Sequence, residues 1–301
     1  MTTQLDHIIL LLSPADFRDV PSWLSDNFTI IDGGKHSKGT SQNKLIIFQD
    51  GTYLELFSWV DPQPDTVEPY ADFPSWANKP EGHIIDWALT GSDAHRKHDE
   101  VMKQVRDLEA HGQRLGVVYD PPKEGGRRRM DGKELRWYAT RPRLDNDSAQ
   151  SQPKVDVPFF CHDITDRALR VPYTQESTDE WPRIVAHPCG ATGIGSITVN
   201  VPARQFDSCV KLYEGIFGTF CDGRHSTEFS MTSFTIASPA RAVGKLGGTR
   251  CMVILRADEG MEGPAGQAGV SIQSLKLWTS RQGHKGERIN ADDFKTEITL
   301  G

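Results

Sequence analysis

In Tyr53-Leu54-Glu55-Leu56-Phe57 a carboxylate stands among apolar side chains on both faces of a strand. Burying that charge unpaired costs several kcal/mol, so Glu55 either faces water on an edge strand or meets a cation or a metal. His7, in Asp6-His7-Ile8-Ile9, poses the same question, with a hydrogen-bonded core histidine as the alternative. His162 ends a third apolar run, Pro158-Phe159-Phe160-Cys161. Two histidines and one carboxylate, each from its own strand, make the facial set that holds a divalent metal and leaves positions open for substrate, water or dioxygen. His7, Glu55 and His162 are therefore the candidate metal ligands, with Fe, Mn, Ni or Zn as the ion. The spacing is non-local, so the set is an expectation about the fold.

Other signals narrow the chemistry. Gly34 to Thr40 has the glycine spacing of a phosphate loop, but Thr40 stands where the lysine is required. There is no GxSxG elbow and no HExxH, and Gly193-Ile194-Gly195 lacks the third glycine of a dinucleotide fingerprint. The triple arginine Arg127 to Arg129 could grip a carboxylate or phosphate, although a solvated run is the commoner state of such residues in a loop.

Positioning these residues requires regular elements. Both faces of Leu5 to Leu12 are apolar, as in a strand covered on both sides. Ser13-Pro14 with Asp16 reads as an N-cap, a first-turn proline and a first-turn acid. Two strands around a polar loop from Gly33 to Asn43, an Asp50-Gly51 turn and a strand from Tyr53 to Trp59 complete β-α-β-β-β. The proline-rich stretch from Asp61 to Pro80 predicts an ordered connection or lid anchored by Phe73 and Trp76.

The pattern then restarts: a strand over His83 to Thr90, a helix capped by Ser92 or Asp93 with Val101, Val105 and Leu108 on one face, and strands near 116–119, 135–140 and 158–162. Setting Asp6-His7 over Asp86-Trp87 gives a weak repeat in which His162 occupies the fourth-strand place that Glu55 has in the first unit. Residues 121–154 read as loop insertions. A third unit starts at Ile194 to Val201. The expected domains are 1–180, with modules at 1–60 and 81–165, and 181–301, a third module with a C-terminal extension.

The chain has 301 residues with 34 Lys+Arg against 41 Asp+Glu, a net charge of −7 that gives no overall case for nucleic acid or anionic membranes. No apolar run exceeds five residues, against the roughly 20 of a spanning helix. The N-terminal segment does not read as a secretory signal, and the five scattered cysteines read as reduced thiols, so a cytoplasmic protein is expected.

The segments LDHIILLL, GGKHSKGT, YLELFSW and HPCGATGI resemble the glyoxalase-like domain proteins of the vicinal oxygen chelate superfamily. The resemblance runs from residue 4 to about 240 and is strongest in the first sixty. It implies an α+β fold in which repeated β-α-β-β-β modules form a cupped, barrel-like mixed sheet with helices outside, holding a divalent metal. It puts His7 and Glu55 on first- and fourth-strand ligand positions, and their second-module counterparts on Trp87, which cannot ligate, and His162. It also allows a homodimer.

Two classes of function follow. One is a metal-dependent enzyme acting on a small oxygen-bearing organic molecule, an isomerase or lyase or, with Fe(II), a ring-cleaving dioxygenase. Glu55 and His36 are its candidate catalytic residues, His36 as general base because an imidazole titrates near neutral pH. The other is a metal-free protein that binds or sequesters a small molecule, for which Trp87 at a ligand position speaks. The expected pocket walls are Trp59, Trp87 and Phe160, with Trp76 beside them.

Overall fold

The structure, a computed structural model, describes residues 3–301 apart from 114, 130, 145–156, 175–176, 223, 227–229, 240–249, 263–271, 291–293 and 295. The first unit runs β1 (Gln4–Leu11), α1 (Pro14–Arg18), α2 (Ser22–Ser25), β2 (Ile31–Lys35), β3 (Ser41–Ile47) and β4 (Tyr53–Trp59). Ser13 caps α1 by accepting from the Asp16 N–H at 3.0 Å. Pro21 divides what the apolar spacing predicts as one helix into two short ones, because it supplies no N–H.

The second unit runs β5 (His83–Thr90), α3 (Ala94–Ala110), β6 (Val117–Tyr119), β7 (Lys123–Arg128), β8 (Glu134–Thr140), β9 (Pro142–Leu144) and β10 (Phe159–Asp163), followed by α4 (Arg167–Arg170) and α5 (Trp181–Ile184). Part of the segment expected as loop insertion is thus strand β7, which pairs with β8 from Lys123↔Ala139 to Arg128↔Glu134 and carries Arg127 inward. Its polar sequence hides it, since one face of the hairpin is wet. The third unit runs β11 (Ala191–Pro202), α6 (Phe206–Phe217), β12 (Arg224–Ser226), β13 (Met231–Ala237) and β14 (Arg250–Asp258), with β15 (Ile272–Thr279) and β16 (Glu297–Leu300) after it.

One pairing order recurs: β1-β4-β3-β2, then β5-β10-β8-β7, then β11-β14-β13-β12. The first two groups join through antiparallel β1 and β5, and the third touches β1 through β13 at Gln4↔Ala237. The far edges of the first two groups meet at one backbone bridge, His36↔Arg127, which leaves the sheet cupped. Among the described residues no helix is long and apolar enough to cross a membrane.

Two layers of core fix which side chains enter the cup. Ile8, Leu10, Leu54, Leu56, Trp87 and Phe160 face the helices, and Trp87 stacks over Tyr213 of α6 at 6.5 Å. Ile9, Leu11, Phe57, Trp59, Ala88, Phe159 and Cys161 face the concave side. Leu5 and His7 do not share a face despite their even spacing, because the β1–β5 register slips between them and Asp6 is the extra residue of a bulge.

Candidate functional site

The cup holds a cavity of about 40 Å³, room for about three waters. Glu55 lies in its wall, 7% exposed. His7 comes from the neighbouring strand, two residue pairs along the ladder and so on the same face, and its Nε2 stands 3.4 Å from Glu55 Oε2. His36 comes from the end of β2, and its Nε2 stands 3.6 Å from Glu55 Oε1. The Asn43 amide donates to the same Oε1 at 2.8 Å.

The far nitrogen of each imidazole is held from behind. His7 Nδ1 lies 2.8 Å from Asp6 Oδ2. Burial alone would raise the Asp6 pKa, but Arg167 and Arg170 outweigh it and hold the carboxyl well below the usual range. Asp6 therefore accepts, and His7 carries its proton on Nδ1. His36 Nδ1 lies 2.9 Å from Ser41 Oγ, whose hydroxyl donates to Asp72 Oδ2 at 3.0 Å. His36 Nδ1 therefore donates as well, and both imidazoles turn Nε2 toward the Glu55 carboxylate. Burial also pushes the His36 pKa down from its ordinary value, which keeps the ring neutral at neutral pH.

The proline-rich connection closes this half of the cup. Asp72 accepts from the Lys38, Thr40 and Ser41 N–H groups and from the Thr40 and Ser41 hydroxyls, which ties the loop carrying His36 to the connection. Phe73 and Trp76 stack at 4.5 Å and wall the cavity with Phe159, so both expected anchors are in place.

Three arginines line the same cavity. Arg170 is fully engaged by Asp6, Asp163 and the Tyr53 hydroxyl. Arg127 is 7% exposed and its Nη1 is buried without a hydrogen-bond partner among the described residues. The Arg141 guanidinium sits 4.5 to 4.9 Å from the ring centres of Phe159, Trp76 and Phe73.

Of the residues expected to converge, the structure brings His7, Glu55 and His36 together and leaves His162 out. His162 is paired opposite Tyr138 and stacks on Phe160 on the helix-facing side, where it lines a separate small cleft with Thr90, Gly91 and Lys97. Alternation explains this, since Phe159 and Cys161 take the concave face and Phe160 and His162 the other. Burial pushes the His162 pKa down to about 4. Trp87 and Phe160 are likewise not pocket walls. Trp87 packs on the helix-facing side and His7 on the concave side, and the β1–β5 ladder slips on both strands, at Asp6 and at Ile85, so the offset that set His7 over Trp87 joins residues of opposite faces. Trp59 is on the concave side but packs on Phe57 and Tyr70 outside the cavity lining.

A divalent metal held by His7, Glu55 and His162 does not fit this arrangement. Among the described residues no three His, Cys, Asp or Glu side chains are grouped to hold an ion. His36 approaches the other carboxylate oxygen, which Asn43 already occupies, and the guanidiniums of Arg127 and Arg141 oppose a further dication. Asp6, Asn43 and Arg141 were not legible as site residues. Their signals were an acid inside an apolar strand, an amide two residues from the partner of Glu55 on the neighbouring strand, and a cation flanking a strand end.

The family model described as "Glyoxalase-like domain" matches residues 5–216. No curated protein matches the chain in sequence. A hypothetical protein from Staphylococcus aureus is similar in structure with a TM-score of 0.57 at 14% identity, over 99% of each chain. The 2,2',3-trihydroxybiphenyl 1,2-dioxygenase of Sphingomonas wittichii aligns over 100% of this chain and 90% of its own at 10% identity, TM-score 0.43. Glyoxalase I of Zea mays aligns over 93% of this chain and 75% of its own at 9% identity, TM-score 0.29.

Proposed function

Because the chain belongs to the glyoxalase-like domain family of the vicinal oxygen chelate superfamily, we propose that it is an enzyme of proton transfer, an isomerase or lyase acting on a small oxygen-bearing organic molecule. The observation that carries this reading is the Glu55 carboxylate faced by two imidazole Nε2 atoms whose opposite nitrogens are tied to Asp6 and Ser41. Such a group accepts a proton from a bound molecule and returns it to the neighbouring atom, with each member held in one orientation.

Glu55 Oε2 takes the proton from a carbon next to a carbonyl. The C–H electron pair becomes the C=C bond and the carbonyl pair moves onto oxygen. His36 Nε2, neutral at neutral pH, accepts the proton of the hydroxyl on the deprotonated carbon as that C–O becomes C=O; Glu55 returns its proton to the former carbonyl carbon and His36 returns its own to the former carbonyl oxygen, which becomes the new hydroxyl, so both bases are restored. The positive wall of Arg127 and Arg141 favours the charge that develops on oxygen. No step is routed through a metal; the set of His7, Glu55 and His162 is not assembled, because His162 lines a separate cleft.

The test is solvent exchange. The protein is incubated in D2O with small 2-oxo and 2-hydroxy compounds, and loss of C–H signal is followed by proton NMR beside Glu55→Gln. Exchange by the wild type that is lost in the variant supports the reading. Equal exchange by both removes Glu55 from it. The aromatic wall of Phe73, Trp76 and Phe159 favours the second reading, a metal-free binding protein. That reading predicts tight binding with no exchange by the wild type.

A further inference from the structure

The cavity has more positive charge than its own residues answer. Arg170 shows how this chain treats a structural buried guanidinium: Asp6 and Asp163 pair with it and the Tyr53 hydroxyl accepts from it. Arg127 is as deeply placed, yet it makes no ion pair among the described residues and its Nη1 has no acceptor. Arg141 has ring faces on three sides and no hydrogen bond or ion pair from its side chain among the described residues; the buried Asp86 carboxyl, outside the cavity lining, is the acid whose charge it feels most. Glu55 is the one acidic side chain among the described residues that line the cavity, and it is engaged by His7, His36 and Asn43. A buried guanidinium left without an acceptor is costly, so a group that supplies two acceptor oxygens gains from entering.

Gly34 lies beside Arg127 at a φ of +119°, a backbone conformation that favours glycine, and a Cβ there would be in ordinary contact with Arg127 Nη1 at 3.6 Å. Arg127 and Glu55 line the same cavity.

We propose that the substrate is a small carboxylate whose anionic group seats on Arg127, with Arg141 as the second cation, and whose exchangeable C–H, on the hydroxyl-bearing carbon or on the carbon next to the oxo group, faces Glu55. A cavity of about 40 Å³ suits a short 2-oxo or 2-hydroxy acid. This rests on the proton-transfer reading for the role of Glu55, but the anion seat stands on the arginines alone.

The experiment titrates pyruvate, lactate and oxalate against pyruvamide and lactamide, with binding read by calorimetry and by ligand NMR. The proteins are wild type, Arg127→Gln, Arg127→Lys, Arg141→Gln and Glu55→Gln, each checked for fold by circular dichroism. The acids are expected to bind at least roughly tenfold more tightly than their amides. Arg127→Gln is expected to lose that preference, Arg127→Lys to keep part of it, and Glu55→Gln to bind the acids as well as or better than wild type while exchanging no proton. Amides binding as tightly as acids, no binding of any acid up to about 50 mM, or an undiminished preference in both Arg127→Gln and Arg141→Gln overturns the proposal. Should Arg127→Gln not fold, Arg127→Lys and Arg141→Gln decide it. Acid binding with no exchange in the wild type retains the anion seat and sinks the proton-transfer reading instead.

Discussion

The backbones of His36 and Arg127 form an antiparallel bridge where the far edges of the first two strand groups meet. One half of the cup contributes an imidazole there and the other a guanidinium, and both side chains line the cavity that holds Glu55. A single bridge at a seam is weaker than a ladder, so the cavity wall is a place where the cup can part while the two groups stay joined at β1 and β5.

Glu55→Gln is the nearest change in shape that removes the proton acceptor. Oε1 can still accept from Asn43, so the fold is expected to keep its stability within about 1 kcal/mol. Proton exchange is expected to fall by about 10² or more. Urea unfolding and the D2O assay, run on the same preparations, read the two separately. A variant with wild-type exchange removes Glu55 from the chemistry.

His162 provides the matching control on the helix-facing side. His7→Ala and His36→Ala are each expected to lower exchange by about 10². His162→Ala is expected to leave it within about threefold and to cost about 2 kcal/mol of stability through the space it opens beside Phe160. A loss of exchange in His162→Ala as deep as in His7→Ala contradicts the placement of His162 outside the cup.

The contrast shows what the sequence made legible. Glu55, His7 and the anchors Phe73 and Trp76 stand out because polar or large aromatic residues interrupt readable patterns, and the recurring strand order follows from capped helices between apolar runs. The facing of His162 and Trp87 was hidden because it depends on register. The extra residue at Asp6 shifts the parity of β1, and the apolar residues on both sides of each strand give no contrast from which to see it. Arg127 was hidden for the opposite reason: its neighbours Arg128 and Arg129 are polar, so a strand with one inward charge looks like a solvated run.

Metal content separates this arrangement from the three-ligand centre that the resemblance implies. Protein purified without added metal is expected to carry well under one equivalent of Fe, Mn, Ni or Zn by elemental analysis, and addition of these ions is expected to leave exchange unchanged. One equivalent that disappears in His7→Ala, Glu55→Ala and His36→Ala, and persists in His162→Ala, makes the two imidazoles and the carboxylate ligands instead.

Stability at acid pH follows from a histidine outside the site. His187 accepts from the Thr29 N–H at 3.1 Å and donates to the Ile47 carbonyl at 3.0 Å, and burial pushes its pKa down to about 4. The unfolded chain takes up this proton near pH 6.5 and the folded chain only near 4. The contribution is therefore full above pH 6.5 and is lost as pH falls toward 4, by about 3 kcal/mol over that window. His162 adds the same sign, while Asp50, raised by burial to about 6, acts oppositely. Urea titrations at pH 7, 6 and 5 are expected to show a steeper decline for wild type than for His187→Gln. Parallel curves rule out this origin.

Gly33 tests how the first unit positions the carboxylate. The β2–β3 register slips between Asp32 and Gly34, which makes Gly33 the extra residue of a bulge. A Cβ there would come 2.0 Å from Asn43 Oδ1 and 3.0 Å from the Asn43 carbonyl oxygen, too close for either side to hold its place. Gly33→Ala must therefore move Asn43, whose amide is 2.8 Å from Glu55 Oε1. Loss of that charge-assisted hydrogen bond frees the carboxylate to turn away from His7, so exchange is expected to fall roughly tenfold, with a stability cost of about 1–3 kcal/mol from the overpacking. Asn43→Ala has no such clash. If the hydrogen bond is what matters, Gly33→Ala and Asn43→Ala lower exchange alike and Gly33→Ala loses more stability. If Asn43→Ala exchanges like wild type while Gly33→Ala does not, the bulge acts through the backbone of β2 and the seat of His36, not through Asn43.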